Sequence, residues 1–128
     1  MEADAYPDSS FLVSLHRADA HQTAARFFVA RTASSLAFTP LHRLEVRNAL
    51  RNAVSFGDMQ KSDCLLAFRQ IDEDLRDRIL IHTAAEWTNV FRRADELSEQ
   101  YAGRGGQRTI DLLHVALALE CAADTFLS

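Results

Sequence analysis

The alternation of short apolar runs with longer amphipathic segments constrains the fold of this chain more than any other feature. The apolar runs lie at 5–7, 36–39, 79–83 and 125–127. Segments with helical spacing of their apolar residues separate them, at 19–34, 41–55, 61–78, 86–101 and 109–123. Strands that alternate with helices are joined by crossover connections, which place the strands side by side in a parallel sheet. The sequence therefore predicts a single α/β domain, with helices packed on a parallel sheet.

Local signals place the ends of several elements. Asp8, followed by two serines, is typical of a helix N-cap directly after the first strand. Pro40 is expected to stop the second strand, and Gly57 fits the position just after the helix at 41–55. Aromatic side chains at helix or strand positions are assigned to the core, and they are Phe27, Phe28, Phe38, Phe68, Trp87 and Phe91.

Composition excludes several classes of protein. The 128 residues are 48% hydrophobic and 25% charged, which excludes a wholly disordered chain. No apolar run is long enough to span a membrane, and the acidic start of the chain lacks the pattern of a secretory signal. Cys64 and Cys121 are expected to be free thiols in the cytoplasm, with a single disulfide as the alternative.

The net charge of −4 argues against a protein that coats nucleic acid non-specifically. It does not exclude an enzyme that acts on nucleic acid, because bound metal ions supply positive charge locally.

Three acidic residues occupy topologically similar positions. Asp8 ends the first strand, while Glu45 and Asp111 lie near the starts of the helices at 41–55 and 109–123. Each has a plain structural interpretation, as a helix cap or as a first-turn acid that the helix dipole favours. In a parallel α/β sheet, however, such positions gather at one edge, where ligands bind. The sequence therefore predicts that these three carboxylates converge.

Convergence of three carboxylates has a chemical consequence. Two such charges about 5 Å apart repel by roughly 3 kcal/mol at an effective dielectric constant near 20. Either one group takes up a proton or a divalent cation lies between them. Ligation by oxygen alone favours Mg²⁺ or Mn²⁺, and such an ion suits hydrolysis of a phosphodiester.

Three segments together resemble the PIN domain family, in particular its VapC-like branch, the toxin ribonucleases of bacterial toxin–antitoxin pairs. The segments are AYPDSSFLV at 5–13, LEVRNAL at 44–50 and TIDLLHVALA at 109–118. The resemblance spans essentially the whole chain and implies a three-layer α/β/α sandwich. It further implies that Asp8, Glu45 and Asp111 are the catalytic, metal-binding acids, with the hydroxyl of Ser9 beside the metal.

The activity implied by the resemblance is Mg²⁺- or Mn²⁺-dependent endonuclease cleavage of RNA. The implied partners are an antitoxin protein and a second copy of the chain in a homodimer. One feature departs from the family pattern, since the family usually has a further Asp just after the strand that here spans 125–127. We expect the last strand and helix of the domain to lie beyond Ser128, and a site of three acids to bind metal more weakly.

Other charged residues have weaker interpretations. Arg104 and Arg108, just before Asp111, are placed to meet an RNA phosphate. An arginine repeat on the helix at 41–55 points away from Glu45 and is expected to face solvent or a partner; it comprises Arg43, Arg47 and Arg51. His114 either orients water or substrate, or is a hydrogen-bonded core histidine.

The acidic run at 72–77 is assigned to a solvated helix face. In that interpretation Asp74 forms an i,i+4 ion pair with Arg78.

Two further functions stay open at this point. A PIN-like module without catalytic activity would pair with an antitoxin or with itself. A Mg²⁺-dependent hydrolase of small phosphates is a weaker alternative, because Asp8 lacks the D-x-D spacing of aspartate-nucleophile phosphatases.

Overall fold

The centre of the fold is a parallel sheet. The computed structural model describes residues 3–17, 22–32, 34–105 and 108–128. In these residues the strands are β1 (Ala5–Pro7), β2 (Leu36–Phe38), β3 (Leu80–His82) and β4 (Thr125–Leu127). They pair in the order β3-β2-β1-β4, and every pair is parallel. The predicted parallel sheet is thereby confirmed, with each strand inside or matching its predicted run.

Helices connect the strands. They are α1 (Ser9–His16), α2 (Gln22–Thr32), α3 (Pro40–Ser55), α4 (Lys61–Arg76), α5 (Trp87–Tyr101) and α6 (Thr109–Glu120). The helix predicted at 19–34 corresponds to α2, although positions 19–21 and 33 lie outside the described residues. The helix predicted at 109–123 ends three residues early, because Ala122 has a positive φ of 52° that helical backbone cannot adopt.

Alternate residues of the strands face two different cores, as the period of a strand requires. Ala5, Leu36 and Leu80 face the first core, a cluster that includes buried residues of α1, α2, α3 and α4. Tyr6 and Ala37, one position later in their strands, face a second cluster built with α5 and α6. The sheet is therefore the middle layer of the expected α/β/α sandwich.

The residues predicted to start or end helices do so in the structure, and Pro40 has an additional role. The Asp8 carboxylate accepts a hydrogen bond from the Phe11 backbone N–H and caps α1. Gly57, at φ 79°, follows α3 in the left-handed conformation that glycine adopts without strain. Pro40 not only ends the strand region but also occupies the first turn of α3, where its missing N–H is not needed.

Three of the six aromatic residues assigned to the core are exposed, so that prediction is wrong for them. Phe27, Phe28 and Phe91 are 64%, 38% and 56% exposed, whereas Phe38 is buried. In α2 the buried positions are Ala25 and Val29, which places the two phenylalanines between them on another face of the helix.

The acidic run of α4 also differs from the prediction. Asp74 is buried, and its Oδ2 accepts hydrogen bonds from His16 at 2.7 Å and Arg26 at 3.1 Å. This carboxylate is buried between α4, α1 and α2, whereas its neighbours Asp72 and Glu73 are exposed as expected.

Cys64 and Cys121 are free thiols, the first buried and the second half-buried. Within the described ranges, no helix has both the length and the apolar character needed to cross a membrane.

Candidate active site

The starts of α1, α3 and α6 meet at the carboxyl end of β1. The Ser9 hydroxyl donates a hydrogen bond to Glu45 Oε1 at 2.7 Å, which joins α1 to α3. His114 of α6 contacts the same oxygen through Nε2, and this nitrogen lies 3.2 Å from Ser9 Oγ. Residues 36 and 105 positions away from Ser9 are thus brought into one cluster. This is the edge of the sheet at which the sequence predicted a site.

Glu45 lies at the centre of this cluster. Its side chain is only 25% exposed, so its charge needs compensating donors, which Ser9 and His114 supply. These contacts fall on Oε1, and Oε2 accepts no hydrogen bond from the described residues. Glu45 is therefore more than a solvated residue at a helix start.

Asp8 caps α1, which is the structural interpretation that the sequence allowed. Its Oδ1 accepts hydrogen bonds from the Phe11 N–H at 2.9 Å and the Ser10 hydroxyl at 2.7 Å, so it caps α1. Oδ2 accepts none from the described part of the chain. Burial above all raises the pKa of Tyr6 far beyond its usual range, and the charges of Glu45 and Asp8 raise it further. Both acids therefore act on the same buried phenol.

Asp111 is the outermost of the three acids. Its two oxygens accept hydrogen bonds from Nε and Nη2 of Arg108, each at 3.2 Å. The hydrogen bond with Arg108 lowers the pKa of Asp111, and the same bond raises the pKa of Arg108. Arg108, predicted to meet an RNA phosphate, is thus paired with one of the predicted metal ligands. Arg104 is exposed in the loop between α5 and α6.

The carboxylate oxygens at this edge are the kind of ligand that a hard divalent cation prefers, but their positions do not form a complete metal site. Asp8 and Glu45 each keep one oxygen that no described residue engages, and carboxylate oxygens are what Mg²⁺ and Mn²⁺ prefer. Within the described residues, however, no three His, Cys, Asp or Glu side chains form a group that could hold a metal ion. The three-acid metal site stays a prediction, and Asp111 would have to exchange Arg108 for the cation to complete it.

His42 is a residue of this edge whose role the sequence analysis missed. Its Nε2 donates to the Pro7 carbonyl at 2.7 Å, and its Nδ1 accepts a hydrogen bond from the Thr39 N–H at 2.9 Å. Burial lowers the pKa of His42 to about 4, so the ring is neutral at neutral pH. A capping-box pattern in the sequence could have identified this residue. His42 stands three residues after the N-cap Thr39, at the position where Glu or Gln is usual.

Of the three repeated arginines, Arg43 lines a cleft of 570 Å³ between the ends of β2 and β3 and the start of α5. Phe38, His82 and Trp87 line the same cleft. Apolar and aromatic walls beside a basic side chain are typical of surfaces that bind single-stranded nucleic acid.

The other two arginines of the repeat contact the next helix. The guanidinium groups of Arg47 and Arg51 lie 4.3 Å and 5.3 Å from the centre of the Phe68 ring of α4. These two side chains therefore also stabilise helix packing, a contact that the sequence analysis did not anticipate, while Arg51 is exposed as expected.

Comparison with known protein families identifies a match. The family model described as PIN domain matches residues 5–128, nearly the whole chain. No sequence among the curated proteins matches the chain significantly.

Proposed function

Because the chain belongs to the PIN domain family, whose members are generally metal-dependent nucleases, we propose that it is a Mg²⁺- or Mn²⁺-dependent endoribonuclease. The observation that carries this proposal is the cluster at the carboxyl end of β1. There the partly buried Glu45 meets Ser9 of the helix that Asp8 caps. Oxygen ligands at this edge of a parallel sheet are placed where α/β enzymes bind their substrates.

The proposed roles follow from the contacts of each residue. Asp8 and Glu45 would hold the cation with the oxygens that no described residue engages, and Asp111 would complete the set if its carboxylate exchanged Arg108 for the cation. Once bound, the cation activates water and offsets charge on the phosphodiester. Arg108 would then be free of Asp111 and available to bind an RNA phosphate. Exposed ion pairs contribute little to stability, so this exchange is inexpensive.

RNA is the proposed polymer because of the family resemblance, and the cleft beside the site supports a single-stranded substrate. Trp87 and His82 offer ring faces for bases, while Arg43 offers positive charge. The overall charge of −4 means that the cation and these few arginines must offset the repulsion of RNA locally.

We further propose that the protein is the toxin of a toxin–antitoxin pair, controlled by an antitoxin protein and paired with a second copy of itself. The VapC-like motifs support this proposal. Large apolar side chains exposed on the helices, such as Leu65, Leu66 and Phe91 at 50%, 58% and 56%, offer surface for such partners.

A specific observation favours a second candidate, a PIN-like binding module without catalysis. Asp111 is paired with Arg108, and the described side chains form no ready three-ligand group. In that case the domain would bind an antitoxin or itself without cleaving RNA.

One experiment separates these candidates. Single-stranded RNA is incubated with the protein in Mn²⁺, in EDTA, and with the variants Asp8→Asn and Asp95→Asn. Asn still caps a helix, so the first variant keeps α1 while losing the charged ligand. We expect Mn²⁺-dependent cleavage that EDTA abolishes and that Asp8→Asn reduces by at least about 100-fold, since even partners of metal ligands are worth 10- to 100-fold. Asp95, exposed on α5, serves as the matched control and should be neutral.

Cleavage that persists in EDTA or in Asp8→Asn contradicts the proposed nuclease. Absence of cleavage together with antitoxin binding or dimer formation supports the binding module instead. Turnover of a small phosphomonoester without RNA cleavage would favour the phosphate hydrolase.

A further inference from the structure

Two buried residues outside the proposed ligand set connect Glu45 to the core through polar contacts. Tyr6 of β1 is fully buried and His114 of α6 is 4% exposed. The Tyr6 hydroxyl lies 2.6 Å from His114 Nδ1, and His114 Nε2 contacts Glu45 Oε1. A continuous chain of polar contacts therefore runs from the core of the sheet to the carboxylate at its edge.

The direction of each hydrogen bond follows from the donors available. His114 Nε2 faces Glu45 Oε1, a carboxylate oxygen that can only accept, so the Tyr6 hydroxyl, 2.6 Å from Nδ1, is the donor to that nitrogen. A neutral imidazole that accepts at Nδ1 carries its proton on Nε2, which then donates to Glu45. In the opposite tautomer the lone pair of Nε2 would face the carboxylate oxygen. The Ser9 hydroxyl donates to the same oxygen, Oε1.

We propose that Tyr6 and His114 are positioning residues, which fix the tautomer of the imidazole and through it the orientation of Glu45. Two donors hold Oε1, which leaves Oε2 for the divalent cation of the proposed function, on which this inference rests. A free glutamate side chain loses rotamer entropy when it is fixed. A Glu45 carboxylate that Ser9 and His114 already hold has lost part of that freedom before the metal binds. These hydrogen bonds are therefore expected to raise the metal affinity.

The sharpest variant is Tyr6→Phe, which removes one hydroxyl and preserves the shape of the ring. His114 then loses the donor that holds its tautomer, and Glu45 loses a fixed partner. We expect the Mn²⁺ dissociation constant, measured by calorimetry, to rise about 10-fold, the lower end of the range for groups that support a metal ligand. Tyr101→Phe is the matched control, because Tyr101 is exposed at the end of α5.

A second pair of variants tests whether the hydrogen-bond donor at Nε2 of His114 determines the Mn²⁺ affinity. His114→Ala removes both contacts, whereas the amide of His114→Gln can still donate at the position of Nε2. We expect weaker Mn²⁺ binding in His114→Ala and partial recovery in His114→Gln. A purely structural histidine would give equal metal affinities in the two variants, and that result overturns the inference.

A measurement without metal tests the tautomer of His114 alone. Nitrogen-15 chemical shifts of His114 at pH 7.5 should show a protonated Nε2 and an unprotonated Nδ1 in the wild type, and a loss of that bias in Tyr6→Phe. A protonated Nδ1 in the wild type overturns the inference.

Mn²⁺ affinity distinguishes failure of the inference from failure of the proposed function. Wild-type affinity in Tyr6→Phe overturns the inference and leaves the nuclease proposal standing. A wild-type protein that binds no Mn²⁺ overturns both.

Discussion

Single buried polar side chains set the geometry of the site edge. His42 donates to the carbonyl of Pro7, the residue before Asp8, and it lies three residues before Glu45 on α3. This hydrogen bond joins the end of β1 to the start of α3. His42 thereby sets how far the Asp8 cap lies from the Glu45 helix. The neutral state of the ring is part of this arrangement, because Nδ1 must accept from Thr39.

The free energy of unfolding is expected to depend on pH through His42. The pKa of His42 is lowered to about 4 in the folded protein from 6.5, so between these values the unfolded chain binds the additional proton. Stability from this group is therefore complete above pH 6.5 and is lost as the pH falls towards 4. A shift of this size corresponds to about 3 kcal/mol. Urea unfolding at pH 7 and pH 4 measures the loss.

The matched variants are His42→Gln and His82→Gln, because His82 is exposed. Replacing His42 should remove about 3 kcal/mol of the pH dependence, whereas replacing His82 should leave it nearly unchanged. A proton NMR titration that places the pKa of His42 near 6.5 would contradict the prediction.

Helix packing in the first core depends on a buried ionic cluster. His16 of α1, Arg26 of α2 and Asp74 of α4 share one carboxylate oxygen, Asp74 Oδ2. His16 also contacts the Leu12 carbonyl through Nδ1, so both of its ring nitrogens are engaged. Among the described residues, Nε and Nη2 of Arg26 are buried without a hydrogen-bond partner. The carboxylate therefore joins the three helices and is the counter-charge of Arg26.

Asp74→Asn should destabilise the fold strongly. The substitution removes the negative charge and leaves Arg26 without its counter-charge, a loss of about 3 kcal/mol for a buried pair. Asp72→Asn changes an exposed residue of the same helix and should cost less than about 0.5 kcal/mol. Chemical denaturation of both variants tests the difference, and equal stabilities would show that the cluster does not support the packing.

The elements themselves were largely predictable from the sequence, because hydrophobic spacing and capping residues act locally. Asp8 and Gly57 mark helix ends as expected, and the strand at 125–127 coincides with β4. The inward face of a short helix was not predictable in the same way. Phe27 and Phe28 are larger and more apolar than Ala25, yet only Ala25 and Val29 face the sheet.

At the scale of the whole molecule, the site is built from contacts across long sequence distances. Glu45 and His114 are separated by 69 positions, and no local pattern links them. The sequence could predict that three helix starts and strand ends share one edge, since parallel topology requires it. It could not predict that His114 and Ser9 meet Glu45 while Arg108 takes Asp111, because these choices depend on side-chain geometry in the folded state.

A divalent cation bound at the carboxyl edge of the sheet can be located directly by its effect on nearby NMR signals. Substoichiometric Mn²⁺ added to nitrogen-15-labelled protein broadens the amide signals nearest to the ion. We predict selective broadening around Asp8, Glu45 and Asp111, which Glu45→Gln abolishes and Glu96→Gln, a change at an exposed residue of α5, does not. Broadening centred on the acidic face of α4 at 72–77, or no selective broadening at all, would contradict a metal site at the carboxyl edge of the sheet.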